Sequence, residues 1–401
     1  MATPHLNIRP GNPDFLDLDW SKPIDEWESD RIVEMPEGIH RHPLAFVAYE
    51  QGIYAIKELP VRLARHEYEV LRSLEDSPTR TVQVVGLVER EWVNPHEEWS
   101  GAVITRYVPY AFPYRELVSG EGFGPRRDQL LDAFAGLLVG LHLTGCYWGD
   151  CSLSNVLYRY DAGAIEAVMV DGETSRLYPS LSVGQRSEDL SIMEMNVAGE
   201  MADVAAANGF DIDHADLSLG QDIIERYRGL WDELTSELVI GPDERYLIGE
   251  RIGRLNDLGF AVDDVDLDPE DDGDGDRVRM RVRVGGRTYN GQRLRELTGI
   301  DASENQAKAI LADLNYHEAK SRSESRTAKA VAMMQWRLSV FEPLLRRISE
   351  IHPGADPIQA YTDFLNYRFV LAAEQQRDLD NDQAFDSWVA AGFPGYTLSA
   401  R

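Results

Sequence analysis

Cysteine is almost absent. Cys146 and Cys151 are the only two in 401 residues. Their spacing makes no zinc pattern. Small buried thiols are the plain account of them, and such sparing use points to a reducing compartment. Long apolar runs are missing too. No stretch approaches the length of a membrane span, and Met1-Ala2-Thr3-Pro4-His5 lacks the charged start and apolar run of a signal peptide. The expected location is the cytoplasm. Positive charge is scarce: 40 Lys and Arg stand against 69 Asp and Glu, a net charge of −29. That argues against broad nucleic-acid binding, which needs basic patches, and against docking on an anionic membrane. The acidic surplus mainly aids solubility and names no partner. The remainder is ordinary for a globular chain, with 43% hydrophobic and 27% charged residues. The length allows two or three domains and a large core.

The most informative stretch is Trp148-Gly149-Asp150-Cys151-Ser152-Leu153-Ser154-Asn155. The apolar run Val156-Leu157-Tyr158 follows, and a second, Ala167-Val168-Met169-Val170, leads into Asp171-Gly172-Glu173. An Asp, an Asn five positions later and a second Asp at the end of a short strand form the set that phosphoryl transfer uses. One carboxylate orients the acceptor hydroxyl, while an amide and another carboxylate hold Mg²⁺ on the nucleotide phosphates. Residues in ordinary turns are the bland account of the loop alone, because short motifs misfire often.

Around this centre the pattern alternates between strands and helices. Residues 1–30 read as an N-terminal arm, with Asp14 to Trp20 packed on a domain. Arg31–Met35, Leu44–Tyr49 and Ile53–Leu59 read as three antiparallel strands. Lys57 follows the apolar Tyr54-Ala55-Ile56 of the last of them, where a lysine can meet phosphates as a point charge. Val61–Leu74 reads as a helix with an apolar stripe at Leu63, Val70, Leu71 and Leu74. Glu67 is the proposed partner of Lys57, and Glu69 the alternative. The two point roughly 200° apart, so only one can face the lysine. Val82–Glu89 and Ala102–Val108 supply two more strands. Thr105 is either the back of a nucleotide pocket or an ordinary strand residue, and the backbone from Arg106 through Tyr107 to Val108 is placed beside an adenine. Asp128–His142, Ser187 onward and Gln221–Leu238 read as helices. Asp189 reads either as a helix-start acid favoured by the dipole or, because it resembles the buried aspartate of protein kinases, as a brace for the 148–155 loop.

The C-terminal half changes character. Tyr246–Leu258 reads as a helix, Asp266–Asp276 as an acidic loop without calcium-ligand spacing, and Arg277–Val284 as a strand with Val and Met inward and Arg outward. Pairing of those arginines with the acidic loop, or a solvated face, is preferred to an anion-binding surface. Ser303–Ile351 and Pro357–Gln376 read as long helices, followed by one carrying Phe385 and Trp388. Aromatic stripes at this spacing usually form core, so the region reads as a packing or docking domain.

The ordered set Lys57, Glu67, Asp150, Asn155, Asp171 resembles the protein-kinase-like superfamily, which writes its loop H-R-D-x-x-x-x-N and then D-F-G. The G-D at Gly149-Asp150 is most similar to lipopolysaccharide-core kinases and other bacterial small-molecule kinases. Trp336–Pro343 and Tyr361–Ala373 resemble an uncharacterised domain fused to such modules. The resemblance implies an α+β, two-lobed protein-kinase-like fold, a small antiparallel sheet lobe plus a helical lobe, with an appended mostly helical C-terminal domain. The expected divisions are 1–30, 31–108, 109–240, a small α/β segment at 241–300, and 301–401. It also implies ATP and Mg²⁺ as cofactors, with Asp150, Asn155 and Asp171 catalytic, Asn155 and Asp171 on the metal, and Lys57, Glu67, Gly38, Thr105 and Tyr107 near the nucleotide. Several features depart from the pattern. No G-x-G-x-x-G precedes Lys57, and only Gly38 lies in the first turn, where backbone or His40, Arg41 and His42 would cradle phosphate. Trp148 replaces His, Ser152 stands where protein kinases carry a lysine, Gly172-Glu173 replaces Phe-Gly, and no A-P-E segment follows. These departures favour a small-molecule, glycan or lipid-linked sugar acceptor. The alternative is a nucleotide-binding pseudokinase that regulates a protein partner through its C-terminal helices; least favoured is a purely structural interaction protein.

Overall fold

The computed structural model describes residues 4–35, 42–75, 77, 79–90, 101–117, 126–209, 211–212, 214–270, 277–320 and 326–396. Within them the chain mixes α and β, with small antiparallel sheets and many helices. It separates into two compact units, Met1–Tyr158 with Ala167–Trp231, and Arg159–Glu166 with Asp232–Arg401.

The first unit begins with β1 (His5–Ile8), β2 (Leu44–Tyr49) and β3 (Gly52–Leu59), then helix α1 (Val61–Glu75), β4 (Val84–Glu89) and β5 (Gly101–Arg106). These strands form one antiparallel sheet in the order β1-β4-β5-β3-β2. Its two faces are covered differently. Ala64 and Leu71 of α1 pack with Leu59, Val84 and Val103. The other face is covered by the N-terminal arm, where Phe15, Trp20, Ile24 and Trp27 pack on Val47, Tyr54, Ile56 and Ile104. The arm thus carries five large buried side chains if Leu18 is included, the kind of apolar burial that dominates stability. A buried ion pair, Glu58 with Arg90, sits beneath it, and Glu58 also accepts the Ile24 N–H at 3.0 Å.

Two details differ from the sequence expectation. The arm adds the edge strand β1, which pairs with β4. Residues 31–35 are not a full third strand: they make one bridge, Ile32 to Val47.

After β5 come the short β6 (Phe112–Pro113), α2 (Arg127–Leu143), β7 (Cys146–Tyr147), the hairpin β8 (Val156–Asp161) and β9 (Ala164–Met169), whose tip Arg159–Glu166 counts with the second unit, β10 (Arg176–Leu177), then α3 (Val183–Asn208), α4 (His214–Leu217) and α5 (Leu219–Thr235), of which the first unit takes residues up to Trp231. α3 starts four residues before Ser187. Ser182 caps it, accepting the Gln185 N–H at 3.2 Å while Gln185 Oε1 takes the Ser182 N–H at 2.9 Å.

The second unit contains β11 (Leu238–Ile240), α6 (Tyr246–Asp257), β12 (Val262–Pro269), β13 (Val278–Val284), α7 (Tyr289–Thr298), α8 (Glu304–Lys320), α9 (Arg326–Trp336), α10 (Glu342–Ile351), α11 (Pro357–Gln375) and α12 (Asn381–Ala390). β13 lies between β11 and β12. Part of the expected acidic loop is strand, since Asp266 to Pro269 belong to β12. Arg281 and Arg283 on β13 pair with Asp268 and Asp264 on β12, and Arg279 with Glu270 and Glu237. Residues 271–276 lie outside the described ones. The long helical stretch from Ser303 is broken by a wide π turn at Arg337–Phe341, just ahead of Pro343, which lacks the N–H of a regular turn. Trp336, Phe341, Tyr361, Phe364, Phe385 and Trp388 fill the core between these helices. Among the described residues, no helix is long and apolar enough to cross a membrane.

Candidate functional site

Lys57 is the third-from-last residue of β3, and its ammonium leaves the sheet toward three carboxylates. Glu67 Oε2 lies at 3.1 Å, Asp171 Oδ2 at 2.8 Å and Glu173 Oε2 at 3.3 Å. Glu67 is buried on the inner face of α1 and Glu69 is exposed, so Glu67 is the helix acid that faces the lysine. Burial works to lower the Lys57 pKa, but the carboxylates of Glu67, Asp171 and Glu173 outweigh it and hold it above its ordinary value. Burial also lifts Glu67 to about 7, against the pull of Lys57. His42, 2.9 Å from Glu173, and then Lys57 hold Glu173 down at about 2 despite burial.

Asp171 is fixed from several sides. Its Oδ1 accepts the Glu173 N–H at 3.0 Å, its backbone oxygen accepts Trp148 Nε1 at 3.1 Å, and Lys57 holds Oδ2. The hairpin explains how it meets the 148–155 loop. The Val170 N–H donates to Asn155 O at 3.1 Å, closing the mouth of β8 and β9. The residues bordering that mouth, Asn155 and Asp171, therefore emerge side by side and line one cavity.

The loop itself is held by α3. Asp189 is fully buried and accepts the Trp148 N–H at 2.7 Å and the Gly149 N–H at 2.8 Å. Burial keeps His142 below its ordinary pKa in spite of Asp189. A neutral imidazole then donates from Nε2 to Asp189 (3.2 Å) and accepts at Nδ1 from the Tyr227 hydroxyl (2.7 Å). Gly149 has φ +81°, and a Cβ there would meet Thr174 O at 3.0 Å, so glycine is the residue this turn takes. Two turns further along α3, Asn196 donates to Asp150 Oδ1 at 3.0 Å and to Cys151 O at 3.1 Å. One more turn on, Glu200 accepts the N–H groups of Leu153 and Ser154, both at 2.8 Å. Asn155 Nδ2 donates to Asp150 O at 2.9 Å, which leaves its amide oxygen as the end for a ligand. Cys146 and Cys151 are buried and free, and burial pushes the Cys146 thiol up to about 12, so neither is a nucleophile.

Lys57, Asp150, Asn155 and Asp171 line a single cavity of about 480 Å³. Glu67 lies behind Lys57 rather than on the cavity wall. Thr105 of β5 pairs with Ala55 of β3, and the Tyr107 N–H is taken by Ile53 O at 3.0 Å; neither residue is on this wall. Gly38 falls outside the described residues. Glu173, Asn196, Glu200 and Asp203 also line the cavity, although the sequence reading gave them no role. A signal for three of the α3 residues existed: Asn196, Glu200 and Asp203 recur at helical spacing on the same face as Asp189, where apolar residues would be expected. Oxygen donors suit a hard divalent cation. Asn155 and Asp171 supply them, and Glu67, Asp171 and Glu173 bring carboxylate oxygens within 4.8 Å of one another. Asn155 and Asp171 put an amide oxygen and a carboxylate on the wall of one cavity, so the residues present fit Mg²⁺.

Residues 229–392 match a family model described as "Domain of unknown function (DUF4032)". No curated protein matches. Among solved structures, the chain is similar to one titled "WaaP in complex with acyl carrier protein", at 16% identity and a TM-score of 0.34, over 57% of this chain and 88% of that one.

Proposed function

We propose that the chain is a protein-kinase-like phosphotransferase that uses ATP and Mg²⁺ to phosphorylate a hydroxyl of a small molecule, glycan or lipid-linked sugar. The observation that supports it most is that Lys57, Asp150, Asn155 and Asp171, spread over more than a hundred residues of sequence, line one cavity. In this reading residues 31–108 and 109–240 are the two lobes, 241–300 and 301–401 are appended, and the protein works in the cytoplasm. Asp150, held by Asn196, orients the acceptor hydroxyl and takes its proton. The Asn155 amide oxygen and the Asp171 carboxylate hold Mg²⁺, which neutralises charge on the phosphates. Lys57, aligned by Glu67, adds a point charge to the same phosphates. Thr105, Tyr107 and the turn near Gly38 border the nucleotide. Catalysis is then mostly positioning and charge neutralisation.

The test is Mg-ATP-dependent transfer by the full chain, compared with Asp150→Ala and Asp171→Ala. Each substitution is expected to lower turnover by roughly 10²-fold or more. Full turnover in Asp171→Ala would refute the role given to that residue.

A second reading, a nucleotide-binding pseudokinase acting on a partner through its C-terminal helices, is favoured by Glu173. That carboxylate sits 3.3 Å from Lys57, where phosphate oxygens would meet the ammonium. Tight Mg-ATP binding without transfer, with a co-purifying protein, would select it.

A further inference from the structure

We propose that Gln359 of α11, by holding the turn of the β8–β9 hairpin, is a positioning residue for Asn155 and Asp171 at the hairpin's other end. The inference rests on the phosphotransferase reading for what Asn155 and Asp171 do, and adds what keeps them in register.

The turn is Ala162-Gly163, the two residues between β8 and β9. Positive φ falls on Ala162, at +54°, and not on Gly163. That is the pattern of a hairpin turn whose first central position ordinarily takes glycine. The sequence has the two the other way round. Glycine is needed second, since a Cβ on Gly163 would meet the Tyr396 ring at 2.8 Å. An alanine in the left-handed region persists only where its surroundings impose it. Here Gln359 imposes it. Its Oε1 accepts the Ala162 N–H at 2.8 Å, and its Nε2 donates to Ala162 O at 3.2 Å. The amide is itself fixed: Gln306 Nε2 donates to its oxygen at 3.0 Å, and Asp363 Oδ1 accepts from its nitrogen at 2.9 Å. Both Ala162 and Gln359 are buried. Beside them the buried Asp161 carboxylate caps α8, accepting the Gln306 and Asn305 N–H groups where the helix dipole favours an anion. The turn and the residues that hold it all count with the second unit.

The turn of a hairpin sets its register. Other restraints on this one are few. Among the described residues, β8 pairs outside the hairpin only with Phe112 and Pro113 of β6, and β9 makes one bridge, Met169 to Thr81. A two-stranded ribbon is marginal by itself. A slip of one residue in either strand would turn its side chains to the opposite face. In the observed register the Val170 N–H meets Asn155 O at 3.1 Å, and the Asn155 and Asp171 side chains share one cavity wall. Control thus passes from Gln359 to the turn, from the turn to the register, and from the register to the two proposed metal ligands.

The experiment follows hydrogen exchange by mass spectrometry in the full chain without nucleotide. Gln359→Met keeps the length of the side chain and removes both hydrogen bonds to Ala162. Exchange at the Val170 and Glu173 amides is expected to quicken roughly 10-fold or more, with β3 and β5 unchanged. Phe385→Leu, a core change in α12 where the ring meets Phe364 and Trp388, is expected to leave those two amides at wild-type rates. Adding Ala162→Gly to Gln359→Met is expected to restore them, because glycine takes the positive φ unaided. The Mg²⁺ needed for half-maximal ATP binding is expected to rise roughly 10-fold or more in Gln359→Met. Ala162→Val leaves every helical residue in place, carries the same expectations, and replaces Gln359→Met if that variant does not fold. Wild-type exchange at Val170 and Glu173 in these variants would overturn the inference, as would equal quickening in Phe385→Leu. So would no restoration by Ala162→Gly, or an unchanged Mg²⁺ requirement. Failure of the phosphotransferase reading looks different: wild type neither binds Mg-ATP nor transfers phosphate, while exchange at the hairpin base still follows Gln359.

Discussion

Asn196 Nδ2 reaches both Asp150 Oδ1 and Cys151 O, so a single amide sets the rotamer of the proposed base and the path of the backbone after it. A hydrogen bond to a charged group contributes about 1.5–3 kcal/mol. Asn196→Ala is therefore expected to lower kcat by roughly 10-fold or more while leaving the KM for Mg-ATP unchanged, which steady-state kinetics would show. Glu67 gives a pH signature. Its folded pKa of about 7 lies above its ordinary 4.5. The folded state therefore holds the proton more tightly, and the stability this contributes is complete below about pH 4.5 and lost as pH rises through 7. Wild type should lose stability relative to Glu67→Gln as pH rises across that window. Urea midpoints for the two proteins from pH 4 to 8 would measure the difference, which flattens above 7.

α3 acts as a splint for the loop. Asp189, Asn196 and Glu200 meet it at Trp148–Gly149, Asp150–Cys151 and Leu153–Ser154 in turn. The three attachments share one helix, so their spacing along the loop follows the helical repeat. Asp189 is the most buried of them, and two backbone N–H groups depend on it. Asp189→Asn keeps the size but turns an amide NH₂ against one of those donors. The expected cost is about 2 kcal/mol in chemical denaturation, with a larger loss of transfer activity than of fold. Glu200→Gln, at a less buried position, should cost less by the same measurement.

At the scale of the molecule, the boundary between the two units runs through the β8–β9 hairpin. Its tip, Arg159–Glu166, belongs with the second unit. There Asp161 accepts the N–H groups of Asn305 at 3.1 Å and Gln306 at 2.8 Å, and Gln359 both accepts from Ala162 N (2.8 Å) and donates to Ala162 O (3.2 Å). Burial, with Glu166 nearby, lifts Asp161 to about 6. A fragment ending at Trp231 would strip these partners from a buried carboxylate and backbone. The base of the same hairpin borders Asn155 and Asp171. The 1–231 fragment is thus expected to be poorly folded, with a lower Tm than the full chain and no thermal response to Mg-ATP. A fragment ending as stable and as responsive as the full chain would contradict this.

The run of strands and helices, and the rule that only one of Glu67 and Glu69 can face Lys57 from α1, were readable from local periodicity, because side-chain direction repeats every two residues in a strand and every 3.6 in a helix; the ordered set Lys57, Glu67, Asp150, Asn155 and Asp171 was legible through its motif spacing and its resemblance to a known family. Periodicity names a face and not its partner. The pairing of β1 with β4, the arm spread over the sheet, the acids of β12 opposite the arginines of β13, and the α3 residues that grip the loop all join segments far apart in sequence. Those were decided by tertiary closure, which brings together side chains whose local patterns carry no mark of one another.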